Sequence, residues 1–448
     1  MNVGQLESFI TRHWFQPEAR RIWSDRATLQ AWLDVEAELA QAQADLGVVP
    51  AEAAMRIAAC ADAGRFDLEA LSEAIAFAQH PLVPVLEVFE HLCGEPAAGF
   101  LHWGATTQNI FDTATALQVL RTQQLIDTAL GRAVAALSAL ASEHRHTAMA
   151  GRTHGQHALP MTLGFKLAGW IDELDRDRAR LAERARPSFP ACMGGAIGTF
   201  AAVGAAGPAV EARLAERLGL LPCGLPSRAS YDRACDYVGA LGLLAGTAQK
   251  IAQDVVFLQR TEIGEAAESF HAGKVGSSTM AQKRNPSTAL LLASLARQLR
   301  GRVPLALEAM VRMDEGDSSA TNVTDGLMPE VAIFAASVAD TLARLAEGLV
   351  VFPQRMAQNL ALTRGLITSE AAMMRLSGEF GRHGAHRLMY DAAQRAQSED
   401  LALLDALRAH PQFDGRPLPP GLEAALEPSA YVGQSAALTE RTLARVRA

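Results

Sequence analysis

The sequence predicts an all-α protein organised around a central bundle of long helices. Three observations carry that expectation. Apolar residues recur at helical spacing over stretches of roughly 20–30 residues. No stretch alternates convincingly with period two, so little sheet is expected. Turn-forming residues gather in a few places, 97–108, 150–160, 190–208, 264–286 and 313–329.

In chain order, Ser24 and Asp25 can cap a helix over about Ala27–Leu46, and Gly47 can end it. Leu29, Leu33, Leu39 and Leu46 form its stripe. From Thr113 to about His144 there is no proline, and Leu117, Leu120, Leu130, Val134, Leu137 and Ala141 keep one face apolar. Further long helices are expected at about 161–187, 236–262, 286–311 and 329–348. Boundaries near 103 and 350 give an N-terminal helical domain (1–103), a central bundle (104–350) and a C-terminal helical domain (351–448). A proline-rich loop at 409–421 interrupts the last of these. Such helices exceed the usual length of about 11–12 residues. Their apolar faces are suited to burial between protomers.

Of the 448 residues, 49% are apolar and 20% charged, and the net charge is −8. That composition fits a globular chain with an ample core and disfavours a duplex-binding protein. No uninterrupted apolar run reaches the roughly 18 residues of a membrane span. The N-terminus lacks a basic region followed by an apolar one, so no secretory signal is expected. Cys60, Cys93, Cys192, Cys223 and Cys235 are scattered without a CxxC. Reduced, buried thiols in a cytoplasmic protein are the expectation.

Three polar islands have compositions that core packing does not require. "HWGATTQNIFDTA" (102–114) places Thr106, Thr107, Gln108 and Asn109 before a helix start, where free N–H groups favour a carboxylate. Ordinary capping by threonine and asparagine explains the same residues. "GRTHGQHALPMT" (151–162) carries His154 beside Gly155, and a loop histidine can act as acid or base near neutral pH. His154 and His157 are three apart, as are His383 and His386, but neither pair has a third ligand at metal spacing. In "KVGSSTMAQKRNP" (274–286), Ser277 and Ser278 follow a glycine and precede Lys283. Lys283 can ease ionisation of a serine or hold a carboxylate, and Asn285 can donate to developing negative charge. Pro286 suits the first position of the next helix. "GEAAESFHAG" (264–273) just upstream has the punctuation of a mobile lid. The G-x-S-x-G elbow of a serine hydrolase is absent.

"GSSTMAQKRNP" resembles the signature loop of the aspartase/fumarase superfamily, GSSxMPxKxNP. "GATTQNIFDTA" and "GRTHGQHALPMTLG" resemble its first and second regions, in the family's order. "IWSDRATLQAWLDVEAELAQAQADLGVVP" and "EPSAYVGQS" look most like the 3-carboxy-cis,cis-muconate cycloisomerase branch, with adenylosuccinate lyase close behind. The resemblance implies a homotetramer whose active sites are shared between subunits, with no cofactor. The implied chemistry is reversible β-elimination from a succinate-type dicarboxylate, releasing fumarate. Carried over by position, Ser277 is the base and His154 serves the leaving group. Lys283, Asn285 and the Thr106 and Thr107 hydroxyls stabilise an aci-carboxylate, with His80, Asn109, Gln156 and Ser278 as further substrate-binding positions.

The chain departs from that pattern in places. His80 and His154 are more like adenylosuccinate lyase than the cycloisomerase branch. Asp314-Glu315-Gly316 stands where a His-Glu-Arg cluster is common, and Tyr231 where an arginine precedes an aspartate. Each missing arginine removes a fork suited to phosphate or carboxylate, so a nucleotide or a tricarboxylate fits poorly. Ala281-Gln282 replaces the usual Pro-His. The expectation is a C–N lyase acting on a small substituted succinate, with a lactonising cycloisomerase as the main alternative. Adenylosuccinate lyase and a non-catalytic crystallin-like scaffold are further alternatives. The segment 314–324 is expected to line or neighbour the pocket.

Overall fold

A computed structural model describes residues 4–270, 273 and 275–447. Lys274 of the signature stretch and His271–Ala272 of the expected lid lie outside the described residues. The chain is all-α, 67% helical, with few strands. Its long helices are Asp25–Asp45, Thr107–Glu143, Leu163–Ser188, Asp232–Leu258, Ser318–Glu347 and Ser369–Ser398.

Local chemistry sets the helix ends. Ser24 Oγ accepts the Ala27 N–H at 3.4 Å, and Gly47 stops the first long helix at φ +70°. Asp67 accepts the N–H groups of Glu69 and Ala70 to start Leu68–Ala78. Asp317 accepts both the N–H and the hydroxyl of Ser319, and so starts Ser318–Glu347.

The chain divides into two compact units. The first comprises residues up to Leu130 with Arg176–Gln249 and Leu291–Leu342. The half-buried Trp32 stacks on Phe111 at 4.3 Å, and in the core Phe15 meets the edge of Phe334 at 5.0 Å. The Arg302 guanidinium lies 4.0 Å from the Phe334 ring centroid while bonding Glu330. The second unit comprises Gly131–Asp175, Lys250–Leu290 and Ala343 onward. Leu376, Leu388, Leu403, Leu407, Phe413 and Leu422 form a core there. Each such buried side chain contributes about 1.5–3 kcal/mol. Gly381, at φ 66° and ψ 162°, kinks the Ser369–Ser398 helix.

Three local expectations are corrected. The segment 286–311 is two helices, Ser287–Arg300 and Val303–Glu308, because Gly301 intervenes and Pro304 suits only a first turn. The helix expected at 329–348 starts eleven residues earlier, at Ser318, and accommodates Pro329 inside it. The Ser/Thr/Asn-rich run that reads as a loop is helical: Thr321 Oγ1 donates to the Asp317 carbonyl and Thr324 Oγ1 to that of Thr321. Finally, 150–160 is largely an antiparallel hairpin, Ala148–Thr153 with Gln156–Thr162. A register shift between Ala150 and Arg152 breaks the alternation that would have announced it.

By length and mean hydropathy (1.3), Thr107–Glu143 and Ser318–Glu347 are apolar enough to cross a membrane. The apolar window of the second is 78% buried within the chain, that of the first 39%.

Candidate active site

The first island lies in the first unit. Thr106 precedes the Thr107–Glu143 helix, and Asn109 closes its first turn reciprocally. The Asn109 N–H donates to the Thr106 carbonyl at 2.9 Å, and Asn109 Oδ1 accepts the Thr106 N–H at 3.1 Å. That Oδ1 also accepts the Gly195 N–H at 3.1 Å, and Asn109 is 2% exposed. Its oxygen is thus committed to holding the helix start and a neighbouring loop. His80, distant in sequence, is brought to Thr107. His80 Nδ1 accepts the Val83 N–H at 3.1 Å, so the neutral ring carries its proton on Nε2, 3.4 Å from Thr107 Oγ1.

The second and third islands lie in the second unit. His154 and Gly155 form the two-residue turn of the hairpin, because Thr153 pairs with Gln156. Their φ values, +52° and +78°, are those of a type I′ turn. A histidine held left-handed is uncommon. The turn presents it at the hairpin tip, where Thr153, His154 and Gln156 are all exposed.

A buried ion pair anchors that tip. Arg152 Nη1 and Nη2 donate to the two carboxylate oxygens of Glu265 at 2.9 and 2.6 Å, a bidentate fork. Glu265 is fully buried and also accepts the Asn359 amide at 2.7 Å. Beside this pair, burial first and then the Arg152 charge hold the His157 imidazole below its ordinary value.

The third island is a closed loop. Asn285 Nδ2 donates to the Gly276 carbonyl at 2.8 Å, which joins the loop's two ends. A Cβ on Gly276 would collide with the Lys283 carbonyl oxygen, so only glycine fits that neck. Gln259 steadies the far side: it donates to the Arg284 carbonyl and accepts the Glu268 N–H. Glu268 in turn caps the next helix by accepting the N–H groups of Thr288 and Ala289. Within the loop, Ser277 Oγ accepts the N–H groups of Met280 and Thr279 at 3.1 and 3.4 Å. Two backbone donors on one hydroxyl oxygen favour its ionised form. Ser278 and Lys283 are exposed.

Sequence reasoning missed one cluster in the first unit. A cavity of about 200 Å³ is lined by Asp112, Arg228, Tyr231, Arg312, Thr324 and Asp325, among others. Arg228 donates to Gln108 Oε1 through Nε and Nη2 at 3.2 and 3.1 Å, and to the Ala196 carbonyl. A Cβ on residue 316 would come within 3.2–3.3 Å of the Arg228 guanidinium. Gly316 therefore leaves room for the Arg228 guanidinium, which arrives from another loop. Arg312 lies 4.5 Å from the Tyr231 ring centroid and donates to the Arg228 carbonyl at 3.0 Å. Burial pushes the Asp112 carboxyl up to about 6, against the nearby Arg312 charge. No local signal in the sequence pairs Gly316 with Arg228; only the tertiary contact does. Of the 314–324 segment, Thr324 lines this cavity. Among the described residues, no group of three His, Cys, Asp or Glu side chains is placed to hold a metal ion.

A long-helix bundle carrying these three islands defines a class of lyase. The family model described as "Lyase" matches residues 13–301, and that described as "Adenylosuccinate lyase C-terminus" matches 365–442. The chain belongs to the aspartase/fumarase superfamily, within its lyase and cycloisomerase enzymes. It is 36% identical over 419 residues to N-acetyl-S-(2-succino)cysteine lyase of Dickeya dadantii (strain 3937), covering 94% of this chain and 92% of that protein. It is 38% identical over 430 residues to 3-carboxy-cis,cis-muconate cycloisomerase of Bradyrhizobium diazoefficiens, covering 95% of each. The crystal structure of 3-carboxy-cis,cis-muconate lactonizing enzyme from Pseudomonas putida superposes with a TM-score of 0.90 at 35% identity, covering 97% of this chain and 98% of that one.

Proposed function

We propose that this chain is a cofactor-independent lyase that eliminates a heteroatom from the β-carbon of a small substituted succinate and releases fumarate or a close analogue. Nitrogen is the favoured leaving atom. The relative from Dickeya dadantii, named for a succinylated cysteine, makes sulfur the next to try. One observation carries the reading: Ser277 Oγ already accepts two backbone N–H groups, from Met280 and Thr279.

A proton on carbon beside a carboxylate is weakly acidic, so its removal needs an oxyanion base and donors for the charge that develops. The Ser277 alkoxide takes the proton, and the electron pair enters the adjacent carboxylate as an aci-carboxylate. Lys283, the second N–H of Asn285 and the Thr106 and Thr107 hydroxyls receive that charge. Collapse of the intermediate expels the leaving group, to which His154 delivers a proton. Thr107 is oriented for its part by His80. Ser278 and Gln156 complete the substrate's surroundings, with Asn109 holding the helix start behind Thr106 and Thr107.

The reading includes a cytoplasmic homotetramer with sites shared between subunits, without nucleic-acid or membrane partners. Superfamily members are usually oligomeric and act on small dicarboxylates. The apolar window of Thr107–Glu143, largely unburied within one chain, supports a helix that packs against other protomers. Mixing inactive Ser277→Ala and His154→Ala proteins is then expected to restore part of the activity after subunit exchange. Verified mixed assemblies that stay inactive would count against shared sites.

The deciding experiment is a panel of N- and S-substituted succinates, followed by fumarate absorbance and run in reverse with fumarate plus amines or thiols. Turnover of an N-substituted succinate is the expected result. Carboxymuconate turnover in its place would establish the alternative, a lactonising cycloisomerase, which the Bradyrhizobium relative and the Pseudomonas structure favour. Gly276→Ala is expected to lower kcat by about 10²-fold with unchanged circular dichroism, because the neck would open and displace Ser277. Unchanged kcat in a folded variant would show that the neck does not position the base.

A further inference from the structure

We propose that Cys192 and Cys223 form a redox-modification site: a paired dithiol that hydrogen peroxide converts to a disulfide. The two cysteines lie on segments distant in sequence and joined by an isolated parallel bridge, Ala191 with Pro222. The Ala191 N–H donates to the Leu221 carbonyl at 2.8 Å, and the Cys223 N–H to that of Ala191 at 3.0 Å. Both cysteines stand one residue beyond the bridge, on strands whose usual spacing of about 4.8 Å falls within the Cα separations that a disulfide spans. The Cys223 thiol donates to the Leu225 carbonyl at 3.2 Å, on the turn that follows the bridge. Both line the same cavity of about 200 Å³ and neither is fully buried.

The two thiols are not equivalent. Cys223 Sγ receives Arg233 Nη1 at 3.9 Å. That guanidinium stabilises a thiolate at Cys223, while burial raises the Cys192 thiol. Cys223 is therefore the attacking sulfur and Cys192 the resolving one. The Cys223 thiolate attacks one peroxide oxygen and the O–O bond breaks, giving the Cys223 sulfenic acid and hydroxide. The Cys192 sulfur then displaces the sulfenic oxygen as water. Two thiols and one peroxide become one disulfide and two waters.

The molecule carries its own control. Cys60 and Cys93 also neighbour each other, but both are buried, and burial pushes the Cys93 thiol up to about 12. The segments joined at Cys192–Cys223 also carry Gly195, which bonds Asn109, and Arg228, which bonds Gln108. Oxidation thus fixes the two loops that support the start of the first island.

The reduced full-length protein is treated with a few equivalents of hydrogen peroxide, quenched with catalase, alkylated and mapped by mass spectrometry. The expected product is a Cys192–Cys223 crosslinked peptide lighter by two hydrogens, restored by dithiothreitol, with Cys60 and Cys93 alkylated. In Cys192→Ser, dimedone is expected to label Cys223; in Cys223→Ser, Cys192 is expected to stay unlabelled. Full alkylation of Cys192 and Cys223 after peroxide, or earlier pairing of Cys60 with Cys93, overturns the site. Labelling of Cys192 in Cys223→Ser overturns the order of attack.

Discussion

Ser277→Ala is expected to lower kcat by about 10²–10⁴-fold, the range over which a positioned general base contributes. The hydroxyl oxygen lost is the one onto which Met280 and Thr279 direct their N–H groups. The fold should survive. Ser277 is half-buried, and the loop neck rests on Asn285 and Gly276. The measurement is kcat on the best substrate of the succinate panel, with circular dichroism and oligomeric state as controls. Wild-type turnover by a folded Ser277→Ala protein would remove the base assignment. Loss of activity together with loss of the fold would instead assign the residue to the loop's architecture. Ser277→Thr offers a further check, because it keeps an oxygen and crowds the neck.

The second large effect is on stability. Arg152→Met is expected to cost about 3–5 kcal/mol, because it leaves the buried Glu265 carboxyl without its guanidinium partner and, among the described residues, with the Asn359 amide as its remaining side-chain donor. Arg152 is 11% exposed on its side chain and Glu265 0%, so solvent cannot take over the missing partner. The double variant Arg152→Met/Glu265→Leu is expected to recover most of that loss, since both charges leave together. Urea unfolding of the two variants checks this. Equal destabilisation by the single and double variants would show that the hairpin depends on packing rather than on the ion pair. The consequence reaches the candidate site, because Arg152 lies two residues before His154 and fixes the strand that carries the turn.

The islands were legible in the sequence because each breaks a long apolar period with residues that helices do not need. Ser24, Gly47 and the stripe between them announced their helix through local chemistry alone. The hairpin was not legible: a register shift at Gly151 hides its alternation, and the left-handed His154 has no local signature. The helix that starts at Ser318 was hidden for the opposite reason. Its threonines look like loop residues until their hydroxyls are seen bonding back to helix carbonyls. Gly316 read as a lost arginine, and nothing local showed that Arg228 lies against it.

Helix periodicity, caps and the order of three polar motifs are written between near neighbours, so the linear chain was enough to determine the all-α class and the superfamily. Who meets whom across long separations is a matter of packing, and only the folded chain decided it. That is where His80 reaches Thr107, where Arg152 is neutralised by Glu265, and where Arg228 fills the room that Gly316 leaves. The physical reason is range: a turn or a cap is selected within about four residues, whereas a buried charge or a close glycine contact is settled by whichever distant segment arrives beside it.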